Sequence, residues 1–172
     1  MKFHPLFAIL FLTVFSMMLA CSSRKLYLTN NRLSGTFTRG KADSIRNYLT
    51  QISNEKIQDT VFIKYEFNGE TCWSILDGES DKYIAGVIQS ANDYTQRYKN
   101  AHPNVTVLRI KESGKNFNKL VLRNPKMIVD SGYLRQNVFL NTATCGTSMK
   151  LYPNGNYEFM LSDAHFKILD SK

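Results

Sequence analysis

Residues 60–76, TVFIKYEFNGETCWSIL, constrain the fold more than any other stretch, because they run a strong strand pattern into one of the chain's three cysteines. Val61, Ile63, Tyr65 and Phe67 alternate with Lys64 and Glu66, the period-2 pattern of a strand built from β-branched and aromatic residues. Phe62 breaks the alternation. A strand that starts apolar on both sides belongs in the interior of a sheet covered on both faces. Cys72 follows Phe67 by five residues.

The first 20 residues stand apart from the fold. Lys2 gives a short positive start, residues 6–19 are an uncharged apolar run, and Ala20 precedes Cys21; this is the layout of a secretory signal. The run is shorter than the roughly 20 residues a membrane-spanning helix needs. Met18, Leu19, Ala20 and Cys21 resemble the lipobox of bacterial lipoproteins, with Met where Leu is usual. The resemblance implies cleavage before Cys21, acylation of its thiol and an anchor in a lipid bilayer. Residues 21–34 are short of apolar periodicity and read as the lipidated cysteine and its tether. Ser22, Ser23, Arg24 and Lys25 are the opposite of the acidic residues that tend to follow the cysteine in surface lipoproteins of the Bacteroidetes. For a source in that group this implies an anchor facing the periplasm. Residues 35–172 are enough for a single domain of ordinary size. The net charge of +8 is spread along the chain, which suits solubility and weak attraction to anionic lipid but gives no basic stripe for nucleic acid.

Residues 41–52 place Ile45, Tyr48, Leu49 and Ile52 on one helical face. A longer helix starts at Asp81 as its cap, carries Ile84, Val87, Ile88, Ala91, Tyr94 and Tyr98 as a stripe, and stops at His102 and Pro103. This stripe is expected to cover the central strand at Ile63 and Tyr65. Residues 104–111 read as a second strand, 114–123 as a short helix burying Phe117, Leu120 and Val121, and Met127, Ile128 and Val129 as a brief buried strand. Asp130, Ser131 and Gly132 then turn into a helix burying Leu134, Val138 and Phe139. A polar loop, residues 141–146, contains Cys145. Residues 147–161 form a hairpin in which Asn154 and Gly155 can take positive φ.

This order of elements is similar to a thioredoxin-like domain of the redoxin type. VFIKYEFNGETC, ending at Cys72, looks like the family's first core strand and the loop carrying the first active-site cysteine. IVDSGYLRQNVF, residues 128–139, resembles the inserted strand and helix of redoxins. CGTSMKLYPNG, residues 145–155, resembles the segment from the family's cis-proline into its hairpin. The implied fold is α/β, a thioredoxin-like central sheet flanked by helices. Three departures stand beside it: Ile75 occupies the second position of the family's CxxC motif, Gly146 the cis-proline position, and Asp77 with Gly78 interrupts the helix after Cys72. A generic α+β sandwich remains the alternative, in which Asn68 and Gly69 turn a hairpin and Cys72 is a core residue of its second strand.

With Cys21 acylated, two cysteines remain, and in an oxidising compartment an even pair reads as a disulfide. The thioredoxin-like reading implies that Cys145, just before the cis-proline position, lies beside Cys72. The bridge would serve either thiol–disulfide exchange or as a staple in a non-catalytic scaffold or interaction lipoprotein of the cell envelope, whose protein partner the sequence does not name. No catalytic residue is assigned beyond this pair. His102 and His165 have no partners at metal-ligand spacing, so neither metal nor cofactor is expected. Trp73 reads as rim or core packing. Replacing Cys21 by Ala should abolish acyl labelling and release the protein from the membrane fraction, measured by palmitate incorporation and fractionation.

Overall fold

The computed structural model of the chain describes residues 32–143, 145–161 and 168. The leader, Cys21, residues 22–31 and, apart from Ile168, the short segment 163–169 lie outside them. The period-2 run forms strand β2, Thr60–Glu66. Before it come β1, Arg32–Thr36, and helix α1, Arg39–Ser53. After it come a 3-10 turn, Ser74–Gly78, helix α2, Asp81–Ala101, and β3, Val105–Glu112. Then follow α3, Lys119–Arg123, β4, Ile128–Asp130, and α4, Tyr133–Asn137, before the hairpin of β5, Thr147–Leu151, and β6, Asn156–Met160.

All six strands form one sheet in the order β1-β6-β5-β2-β3-β4. β2 sits inside it, parallel to β3 with Tyr65 opposite Ile110, and antiparallel to β5 with Ile63 opposite Met149. A parallel pair joined through a helix, next to an antiparallel hairpin, is the thioredoxin-like core that the element order implies. Residues 70–73 form no strand, so the hairpin reading of Asn68 and Gly69 is set aside. Gly69 does take positive φ, but its N–H bonds Asn116 O at 2.7 Å, and Asn68 bonds the same segment. The turn is tied to the loop after β3.

The two faces of the sheet differ. On one, Val61, Ile63, Tyr65 and Phe67 join Leu108, Ile110, Met149 and Leu151 in the main core, closed by Ile45 and Leu49 of α1 and Leu134 of α4. At about 25 cal/mol per Å² of apolar surface, this is the dominant stabilising layer. The other face carries Phe62, which packs with Val107, Met160 and Ile168 under Tyr94 and Tyr98 of α2. The break in alternation at Phe62 is thus the mark of coverage on both sides. It also corrects the expected role of α2: that helix covers the Phe62 face, not Ile63 and Tyr65, and its Ile84 and Ile88 cluster with Leu76 and Leu120.

Boundaries shift where capping decides them. Ser80, not Asp81, caps α2 by accepting from Tyr83 N–H, and Thr38 caps α1 by accepting from Lys41 N–H. Arg32, Leu33 and Ser34, read as tether, belong to β1, which pairs Leu33 with Phe159. β4 is an edge strand, so Val129 is 52% exposed rather than buried. In the hairpin only Gly155, at φ 85°, takes the left-handed region.

Asp130 at the end of β4 is fully buried. Its carboxylate accepts from Tyr48 of α1 at 2.6 Å, from Tyr65 of β2 at 2.8 Å, and from the N–H groups of Leu134 and Arg135 at the start of α4. Burial opposes its ionisation, but these four hydrogen bonds prevail and hold its pKa below the usual 3.8. A carboxylate depressed in this way contributes stability that is complete above its ordinary pKa and is lost as pH falls through the folded value. Asp130→Asn should therefore cost on the order of 3 kcal/mol at neutral pH, with a smaller penalty in acid below the carboxylate's ordinary range, measured by urea denaturation across pH.

Candidate functional site

The chain leaves β2 through a turn in which Phe67 N–H donates to Glu70 Oε2 at 3.1 Å. Two residues later Cys72 is held by its own carbonyl, which accepts from Asn118 Nδ2 at 2.9 Å. Asn118 is buried and also caps α3 through Val121 N–H. Lys119 N–H reaches Asp77 Oδ1 at 2.7 Å, so the chain is stitched to the start of α3 at Cys72 and again five residues later. Trp73 follows at φ 62°, a left-handed conformation that costs a non-glycine residue about 1–3 kcal/mol.

Cys145 arrives from the other direction. After α4, Arg135 Nη1 donates to the carbonyls of Phe139 and Leu140 and Nη2 to Thr142 Oγ1, which fixes the loop leading to the cysteine. Gly146 then turns into β5 at φ 71°. The two routes bring Cys72 and Cys145, 73 positions apart, to a Cα separation of 4.8 Å, joined by a disulfide. That is within the roughly 4.4–6.8 Å a bridge requires. Closing so long a loop stabilises the fold by roughly 4 kcal/mol on the chain-entropy account. Both cysteines are partly exposed, with Trp73 46% and Ile75 81% exposed beside them. Trp73 is therefore rim, as its sequence reading allowed.

Under the bridge lies a group of charges that the alternation of β2 concealed. Lys64 and Glu66 point to the α2 face and are only 6% and 4% exposed, with Nζ and Oε1 2.8 Å apart. Glu66 Oε2 also lies against Gly146, 2.8 Å from where a Cβ would stand, which places the carboxylate next to the residue after Cys145. Glu70 shares this space. Its carboxyl is raised well above the usual carboxylate range, first by burial, then by the charge of Glu66 and a hydrogen bond with it. Burial and the neighbouring Glu66 thus favour the protonated form of Glu70, two residues before a disulfide cysteine. Sequence reasoning read Lys64 and Glu66 as the polar half of a strand. Their signal was present only in combination, since a strand inside a doubly covered sheet has no solvent side on which to put charges.

The remaining candidates are not drawn into the site. His102 caps the end of α2 and stacks on Tyr98 at 4.2 Å, and His165 lies outside the described residues. Among the described residues no three His, Cys, Asp or Glu side chains are placed to hold a metal ion.

No protein-family model matches the chain, and no curated protein matches it. Two solved structures are similar in outline. One is a secreted disulfide oxidoreductase of Mycobacterium tuberculosis described as homologous to the DsbE of Escherichia coli, with 12% identity over 62% of this chain and 72% of that chain and a TM-score of 0.36. The other is the DsbF of Mycobacterium tuberculosis in mixed oxidized and reduced forms, with 14% identity over 66% of this chain and 81% of that chain and a TM-score of 0.39. Neither likeness bears on the chemistry of Cys72 and Cys145.

Gly146 holds a backbone conformation that a proline could not adopt. Proline fixes φ near −65°, whereas this position needs φ 71° and leaves a Cβ only 2.9 Å from Tyr65 O. Gly146→Ala should destabilise the protein by about 1–3 kcal/mol, read from its denaturation midpoint, and Gly146→Pro should do worse rather than restore a family feature.

Proposed function

We propose that this chain is a membrane-anchored, periplasm-facing lipoprotein whose thioredoxin-like domain exchanges its Cys72–Cys145 disulfide with the thiols of envelope proteins. The observation that carries this reading is a bridge between two partly exposed cysteines, with Glu70, a buried carboxyl whose pKa is raised by burial and by Glu66, two residues before Cys72. Structural bridges need no such neighbour. The signal-like leader and the lipobox resemblance at Cys21 support the anchor, and the oxidising compartment they imply is one where a disulfide persists.

The exchange runs as follows. A partner thiolate attacks one sulfur of the bridge, forming a mixed disulfide, and the electron pair of the broken S–S bond leaves on the other sulfur. Glu70 supplies the proton that converts this thiolate to a thiol, becoming a carboxylate that Lys64 helps to balance. A second partner thiolate then displaces the mixed disulfide. Two partner thiols are oxidised to a disulfide, and Cys72 and Cys145 are reduced.

A second reading keeps the anchor and the fold but makes the bridge a staple in a non-catalytic interaction lipoprotein. Ile75 favours it, because a partner captured on Cys72 finds no neighbouring thiol at the usual position and can be released within the chain only by Cys145. Redox titration and trapping separate the two. Exchange predicts a potential above about −300 mV, mixed disulfides captured by Cys72→Ser or Cys145→Ser, and opening slowed by about tenfold or more in Glu70→Gln. A potential below about −300 mV, with no captured partner from either variant, establishes the staple.

A further inference from the structure

Away from the disulfide, a cavity of about 380 Å³ opens between α2, the unpaired part of β3 and the segment leading into β4. It exists because β4 covers β3 only from Ile110 onward, leaving the edge at Val107–Arg109 without a strand partner. Its size lies at the lower end of pockets that take small molecules, roughly 300–1,000 Å³. Three basic side chains line it, Arg109, Lys99 and Lys126, against one carboxylate, Glu55, which is already bonded to Lys99 at 3.1 Å. The cavity is therefore electropositive.

Arg109 is the decisive group. It is 6% exposed, so its guanidinium has been taken out of water. Among the described residues it makes one hydrogen bond, from Nη1 to Asn92 Oδ1, at a long 3.4 Å, and its buried Nε has no partner. Asn92 Oδ1 is itself shared with Asn124 Nδ2 at 3.4 Å. Glu66 faces Arg109 from the neighbouring strand and favours its charge, while burial opposes it; a guanidinium stays protonated regardless. Glu66 is bonded to Lys64. Nε itself is closed off from the cavity, which leaves Nη2 as the guanidinium donor without a hydrogen bond, of the kind that binds a carboxylate or a phosphate.

We propose that this cavity is a binding site for a small anionic molecule, whose carboxylate or phosphate group is held by the Arg109 guanidinium through Nη2 with Lys126 at the rim. The rest of such a ligand would lie along Gln96 and the open edge of β3, where unpaired backbone groups offer donors and acceptors.

The test is calorimetric and NMR titration of the full chain with inorganic phosphate and, separately, with succinate, at constant ionic strength. Saturable binding of either probe is expected, and the probe that binds distinguishes a phosphate group from a carboxylate. Arg109→Lys, which keeps the charge and loses the guanidinium's fixed planar donors, should weaken binding by about tenfold, or 1.4 kcal/mol. Lys126→Ala, at an exposed position that leaves the fold undisturbed, should weaken it several-fold. No saturable response to either probe at concentrations on the order of tens of millimolar, as water alone at Arg109 would give, overturns the proposal. So does binding that neither variant alters.

Discussion

Strand β2 is buried on both faces, and most of the molecule follows from how that burial is satisfied. A strand inside a sheet with one wet face can send its polar residues to solvent. β2 cannot, because α1 and α4 close one side and α2 closes the other. Its apolar residues therefore build the main core on the first face. On the second, Phe62 is apolar and Lys64 and Glu66 are charged, and the two charges meet at 2.8 Å. Burying an unpaired charge costs several kcal/mol, so the pair, once inside, must stay together. It lies at the end of β2 that leads to Cys72, which puts the least forgiving electrostatics of the described fold next to the disulfide.

The site is held from two sides by different means. Cys72 is fixed by side chains that tie its loop to the segment after β3, chiefly Asn118 and the Asp77 carboxylate. Cys145 is fixed through Asp130 and Arg135: the first anchors the start of α4 to α1 and β2, and the second holds the carbonyls of the loop that follows. Both supports are hydrogen bonds between elements distant in sequence. The disulfide joins two preorganised segments instead of drawing together two loose ones.

Departures from the redoxin pattern have local physical reasons. Gly146 stands where a proline would have the wrong sign of φ and any side chain would collide with Tyr65 O and Glu66. Ile75 is 81% exposed, and among the described residues Cys145 is the cysteine that partners Cys72. The helix after Cys72 is broken into a 3-10 turn and a separately capped α2. Cys145 meets Cys72 from the β5 side, and Gly146, which lets β5 begin there, also makes room for the Glu66 carboxylate.

Sequence alone determined the elements whose signals are local. The alternation of Val61, Ile63, Tyr65 and Phe67, the stripe of α1 and Gly155 in the hairpin act over a few residues, and each element formed where its pattern stood. Even the inner position of β2 was legible, because Phe62 has no reason to break the alternation unless both faces are dry. Tertiary structure decided what depends on the partner across a gap. Whether Lys64 and Glu66 are wet or buried, which face α2 covers, whether Val129 is inside or on an edge, and that Arg109 lies buried with one edge of its guanidinium unbonded all follow from which elements pack together. No periodicity encodes that. The meeting of Cys72 and Cys145 lies between the two cases: the residues and a family likeness suggested it, but only a sheet that places β5 beside β2 brings residues 73 positions apart to 4.8 Å.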